Sequence, residues 1–240
     1  MEMLNFIFEA ASIAPGDFTG FTFFIGSVSM LAATVWFLMQ HGQVDKKFKD
    51  SMLVAALITG IAAVHYFYMR EQWVLDGSSP TELRYIDWIL TVPLMVVEFA
   101  LLTGVGMRKL FWASVVMLVA GYFGESGVTG VLDAQWWGAI SGAAYFLMAY
   151  EVGCFSIFGG PSGAVGNALT SGSGKIPEAG RMLQWFLLVG WAIYPIGYMA
   201  GTDGWYTFVA IDEGMMNIIY NVGDAINKIG FGMAVWYAAK

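Results

Sequence analysis

Polar gaps cut this chain into apolar windows at about 18–44, 51–69, 110–124, 134–150 and 182–202, several of them near the roughly 20 residues that a helix needs to cross a bilayer. Inside hydrocarbon no water is at hand for the backbone, so each such window must satisfy its own amides and carbonyls, which a helix does. Of the 240 residues 58% are hydrophobic and 12% charged, against about a quarter charged in an ordinary globular domain, and the mean hydropathy is +0.64. The fold class is therefore an all-α membrane protein.

Apolar windows bounded by turn residues predict seven helices, at about 18–41, 50–71, 81–104, 107–128, 133–158, 177–201 and 207–238, in a single bundle domain over 1–240. Seven crossings put the termini on opposite sides. The net charge of −7 gives nothing for a nucleic acid to bind, and the positions of the basic residues say more than their total. Lys46, Lys47, Lys49, Arg108, Lys109, Lys175, Arg181 and Lys240, eight of the eleven, fall in gaps on one side, and only Arg70 falls in a gap on the other. Basic loops stay in the cytoplasm, so the N-terminus is expected outside and the C-terminus inside, in a multi-pass protein of the cell membrane. Arg84 and Lys228 belong to neither side.

A lone cysteine, Cys154, excludes an intramolecular disulfide and reads as packing. No metal site is expected. The opening "MEMLNFIFEAASIAP" lacks a basic start and is a poor signal peptide. Residues 159–180, rich in Gly and Ser, read as a flexible cytoplasmic connection. Pro93 and Pro195 lie inside the third and sixth predicted helices, where the missing amide hydrogen bends the axis.

The stretch "RYIDWILTVPLMVVEF" (84–99) carries charge where apolar residues are wanted. At about 100° per residue, Glu98 lies about 20°, Thr91 about 40° and Arg84 about 60° from Asp87, so the four share one face. With a rise of about 1.5 Å per residue, Asp87 and Glu98 stand about 16 Å apart, half the hydrocarbon thickness. An intramembrane carboxylate costs a few kcal/mol or more, and by default marks an ion or proton pathway. In the last helix "NVGDAINKIGFG" places Asp224 and Lys228 four residues apart and on one face. A buried ion pair accounts for them; so does a lysine that forms an imine with a carbonyl compound and needs counterions, Asp87 and Asp224 being the two at hand.

These segments, with "WAIYPIGY" between them in the sixth helix, resemble the microbial rhodopsins, and within them the proteorhodopsin and xanthorhodopsin branch of light-driven proton pumps. The resemblance covers nearly the whole chain. It implies all-trans retinal on Lys228 as a protonated Schiff base, Asp87 as counterion and proton acceptor, Asp224 as second counterion, and Arg84 organising them from the outward side. Glu98 matches the proton donor, an acid that keeps its proton in apolar surroundings, and Asp87, Thr91 and Glu98 together match the proton-pump pattern rather than those of sodium or chloride pumps. Trp88, Met95, Met117, Gly121, Ser141, Trp191, Tyr194, Pro195 and Tyr198 match the retinal pocket, with Met95 at a position that accompanies green absorption. The resemblance further implies a hydrogen bond from His65 to Asp87, although a lone His on an apolar helix is ordinarily a satisfied core residue. Gly138 matches a lateral window through which a hydroxylated carotenoid antenna reaches the retinal ring in xanthorhodopsin. Tyr206 and Met216 stand where bacteriorhodopsin has its pair of proton-releasing glutamates, with Asp203, Asp212 and Glu213 nearby but out of register, which makes release late and through Asp87. Partners implied are the lipid bilayer, protons and copies of the chain in a homo-oligomer, a pentamer or hexamer. The rival reading is a sensory rhodopsin signalling through a transducer partner, against which the carboxylate at Glu98 argues.

Overall fold

The structure is a computed structural model that describes residues 14–128, 130–209 and 211–240. Residues 1–13, and with them most of the opening segment weighed above as a leader, lie outside the described residues.

The described residues are helical throughout, without strands: α1 (Phe18–His41), α2 (Lys49–Asp76), α3 (Thr81–Thr103), α4 (Arg108–Ser126), α5 (Ala134–Val152), α6 (Ala164–Thr170), α7 (Ile176–Leu188), α8 (Ile193–Gly201) and α9 (Glu213–Ala238). Local chemistry sets the ends. The Asp17 carboxylate caps α1 by accepting from Gly20 N at 2.7 Å, and Asp212 caps α9 by accepting from Met215 N at 3.1 Å. At the other end α3 stops at Gly104 (φ 69°) and α5 at Gly153 (φ 83°), in the left-handed region that a Cβ disfavours.

Successive helices pack as neighbours, α1 on α2, α2 on α3, α3 on α4 and α4 on α5, and α9 returns against α1, α2 and α7 to close the bundle. The core between them is apolar and large-side-chained, with Phe37, Met52, Val96, Leu187 and Phe231 fully buried. Facing outward instead are Leu31, Leu57, Val64, Trp112 and Phe146, all more than half exposed, a surface that suits lipid and not water. Among the described residues, four stretches are long and apolar enough to cross a membrane by length and composition: Phe18–His41, Lys46–Asp76, Thr81–Thr103 and Ile176–Gly201.

Four expectations need correction. The sixth predicted helix is not continuous: a 3-10 turn, Gly190–Ala192, separates α7 from α8. Pro195 in the first turn of α8 has no amide hydrogen to offer the Trp191 carbonyl one turn back, and close by the Gly190 carbonyl accepts from Asn227 Nδ2 at 2.8 Å. The fifth helix ends at Val152, with a 3-10 segment at Cys154–Phe158, because Gly153 turns the chain. The last helix starts at Glu213 and not at 207, where Asp212 can cap it.

The connection at 159–180 is not a flexible linker. It contains α6, whose Val165 and Leu169 are buried against α5 and α7. The buried Glu151 carboxylate ties it down, accepting from Ala164 N at 3.3 Å and from Lys109 Nζ of α4 at 2.8 Å. Cys154 is buried as expected, its thiol against the Gln184 carbonyl at 3.5 Å.

Candidate functional site

The charged stripe of α3 is buried end to end: Arg84, Asp87, Thr91 and Glu98 are all shielded from solvent. Across from it, α9 presents Asp224 and Lys228 one helical turn apart. Lys228 Nζ lies between the two carboxylates, donating to Asp87 Oδ2 at 2.5 Å and to Asp224 Oδ2 at 2.6 Å.

The two aspartates are not equivalent. Asp224 is held by three donors, adding the hydroxyls of Tyr66 (2.9 Å, to Oδ2) and Tyr194 (2.7 Å, to Oδ1) to the lysine. Asp87 accepts only from Lys228, and its Oδ1 is buried without a hydrogen-bond partner. The Thr91 hydroxyl donates to the Asp87 backbone carbonyl at 2.9 Å, not to its carboxylate. A carboxylate whose lone pairs are engaged by three donors is stabilised as the anion, whereas one with an open oxygen has a place for a proton.

His65 does not reach Asp87 by a hydrogen bond. Its Nδ1 donates to the Ile61 carbonyl at 2.8 Å, one turn back along α2. With Nδ1–H committed, Nε2 of the neutral ring carries a lone pair and cannot donate to a carboxylate. Arg84 has as its direct hydrogen-bond partners Asn217 Oδ1 (2.5 Å) and Ser79 Oγ (3.3 Å), with the guanidinium 4.6 Å from the centre of the Tyr220 ring. Ser79 N donates to Glu213 at 2.8 Å, so a polar chain runs from the buried Arg84 to the exposed start of α9.

Eleven residues along α3, Glu98 has no hydrogen-bond partner on either carboxyl oxygen, and the Ser51 hydroxyl that faces it from α2 is likewise unpartnered. Phe99 and Phe231 close the region with an edge-on pair at 5.4 Å.

Beside the ion pair lies a cavity of about 470 Å³, within the usual range for a ligand pocket, with walls that are almost wholly apolar and aromatic. Trp88, Met117, Gly121, Gly138, Ser141, Trp191, Tyr194, Pro195 and Tyr198 lie on its wall. Met95 and Lys228 do not; Met95 is buried in the core, and Lys228 is drawn into its ion pair. Tyr194 connects the two regions, since its ring lines the cavity and its hydroxyl holds Asp224. Trp88 packs edge-on to Tyr194 at 4.8 Å. The Gly138 position is taken up by Tyr198, whose Cε1 would stand 2.6 Å from a Cβ there and whose hydroxyl donates to the Ala134 carbonyl.

Tyr66, Asn217, Ser79 and Tyr85 went unread in the sequence. Each is a common residue at an unremarkable helical spacing, and only the fold brings it to a charge or to the cavity wall.

A helical bundle with an apolar exterior, holding a buried lysine between two aspartates beside an aromatic cavity, has the make-up of an integral membrane protein. The chain belongs to the bacteriorhodopsin-like protein family, whose sequence model matches residues 17–240. It is 38% identical over 234 residues to a green-light absorbing proteorhodopsin of Gamma-proteobacterium EBAC31A08, covering 93% of this chain and 87% of that one. With a blue-light absorbing proteorhodopsin of Gamma-proteobacterium Hot 75m4 the identity is 42% over 234 residues, covering 93% and 86%. Among solved structures, the blue light-absorbing proteorhodopsin from Med12 superposes with a TM-score of 0.76 at 38% identity, over 92% of this chain and 98% of that one. Xanthorhodopsin, described as a light-driven ion pump with dual chromophore, superposes with a TM-score of 0.77 at 25% identity over 95% of each chain.

Proposed function

We propose that this protein is a light-driven outward proton pump of the cell membrane, with all-trans retinal bound to Lys228 as a protonated Schiff base. The whole chain would act as one seven-helix domain, α7 and α8 forming a single broken span, with the N-terminus outside. The clustering of Lys46, Lys47, Lys49, Arg108, Lys109, Lys175, Arg181 and Lys240 supports that orientation. Copies of the chain would assemble as a pentamer or hexamer in the bilayer.

The residues fit the cofactor. The aromatic walls from Trp88, Trp191, Tyr194 and Pro195 suit a flat apolar polyene, and Lys228 stands next to them with two carboxylates to balance a retained positive charge. When bound, retinal supplies the absorption of light and a change of shape that alters how strongly Lys228 Nζ holds its proton.

The single observation that carries the reading is the asymmetry around Lys228 Nζ. Asp87 is 2.5 Å away with an unpartnered oxygen, and can take a proton from Nζ; Asp224, held by Tyr66 and Tyr194 as well, remains the fixed negative charge. Once Asp87 is neutral, the outward chain of Arg84, Asn217, Ser79 and Glu213 offers the way to the surface. Glu98 supplies the replacement: its buried carboxyl has only the Ser51 hydroxyl facing it and sits about 16 Å inward along α3. Retinal-fed cells in unbuffered medium should acidify the medium under light, and a protonophore should abolish the change. A coloured protein without a pH change would assign the sensory role.

A hydroxylated carotenoid antenna at Gly138 has to displace or overlie the Tyr198 ring. Added carotenoid should transfer excitation to the pigment, and Gly138→Trp should abolish the transfer; no transfer in the unaltered protein leaves retinal as the only chromophore.

A further inference from the structure

One carboxyl bonded to a residue of the cavity wall has no part in the scheme above. Glu125 stands one residue before the C-terminus of α4, and the Tyr85 hydroxyl of α3 donates to its Oε2 at 2.8 Å. Gly121, one turn earlier on α4, makes the approach possible: a Cβ there would come 3.0 Å from the Tyr85 hydroxyl. Tyr85 is buried, lines the cavity, and packs edge-on to Trp88 at 5.1 Å and Tyr122 at 5.4 Å.

The Tyr85 hydroxyl of α3 is the group bonded to Glu125, and Glu82 and Arg84 of α3, Tyr198 of α8 and Tyr220 of α9 are near enough to interact with it electrostatically. None of the ion pairs among the described residues includes it. A fixed structural bond between two helices would be served as well by Gln, which cannot titrate.

We propose that Glu125 is a positioning residue of the cavity, which holds the Tyr85 hydroxyl in place and passes its own protonation state to that wall. An ionised carboxylate can only accept from Tyr85, whereas the acid carries one donor of its own, so the bond at the wall changes as Glu125 titrates. Tyr85 and Asp87 are about 160° apart around α3, so the Glu125–Tyr85 bond lies on the other side of that helix from the Lys228 ion pair. The proposal rests on the reading that the cavity takes retinal.

The test compares the unaltered protein with Glu125→Gln, Glu125→Asp and Tyr85→Phe in two measurements. In retinal-loaded protein, the visible absorption should move in two steps with pH. Glu125→Gln and Tyr85→Phe should lose the same step and keep the one due to Asp87, and Glu125→Asp should restore it at a displaced pH. In protein without retinal, a ¹³C label on the Tyr85 ring carbon that bears the hydroxyl should titrate, and should stop titrating in Glu125→Gln. A step that survives in Glu125→Gln, or a Tyr85 signal indifferent to that change, overturns the proposal. Failure of the unaltered protein to form any pigment overturns the retinal reading alone, and the label still decides whether Glu125 and Tyr85 are coupled.

Discussion

Asp87 and Glu98 lie on one face of one helix, yet they meet opposite surroundings. Around Asp87 the chain has gathered a lysine, a second aspartate and, on that aspartate, two tyrosine hydroxyls. Around Glu98 it has gathered almost nothing polar, and both carboxyl oxygens are unpartnered. A group that must change its charge quickly is placed where donors and counter-charges already stand, so little has to reorganise. On the proposed reading Glu98 stores a proton, and it sits where its anion would find no donor but the Ser51 hydroxyl. Direction of transport, on this view, comes from the difference between two halves of a single helix.

The comparison is broken most severely by Lys228→Ala, which should give a colourless protein with retinal added, read by visible absorption. The same change leaves Asp87 and Asp224 facing each other without a cation, at a cost of about 3–5 kcal/mol read by denaturation, and Asp87→Asn in that background should recover part of it. Glu98→Gln should keep the colour and slow the return of the proton to Lys228 by about 10²–10⁴-fold, read by flash photolysis; an unchanged rate would take the donor role from Glu98.

On the outward side, Asn217→Ala removes a charge-assisted bond to Arg84 and should lower stability by about 1.5–3 kcal/mol without loss of colour. The smallest effect sharpens the map of the cavity: Gly138→Ala pushes a Cβ against Tyr198 and should cost about 1–3 kcal/mol, with a displaced absorption maximum.

Much of this was legible in the sequence for a simple reason. Helix periodicity places Arg84, Asp87, Thr91 and Glu98 on one face and Asp224 above Lys228 whatever the tertiary contacts, and apolar windows near 20 residues mark out the helices. What was not legible depends on contacts between helices. That Asp224 is the more tightly held aspartate follows from Tyr66 on α2 and Tyr194 on α8, neither of which carries a local signal. The resemblance put His65 on Asp87, whereas its Nδ1–H goes to its own helix, as for an ordinary core histidine. The Gly- and Ser-rich composition at 159–180 said linker, because composition does not register the burial of Val165 and Leu169 in the core of the bundle.

That last segment also fixes where the chain can be opened. Glu151 clamps the start of α6 to Lys109, and a Cβ on Gly163 would strike Glu151 Cα at 2.5 Å, so nothing can be spliced in there without prising helices apart. Beyond α6 the chain comes to the surface: Ser171, Ser173 and Gly174 are exposed, and Gly174 has open space around it. A reporter or an affinity handle belongs at 173–174, where it hangs from the bundle as a tag on a thread and leaves the fastening of α6 untouched.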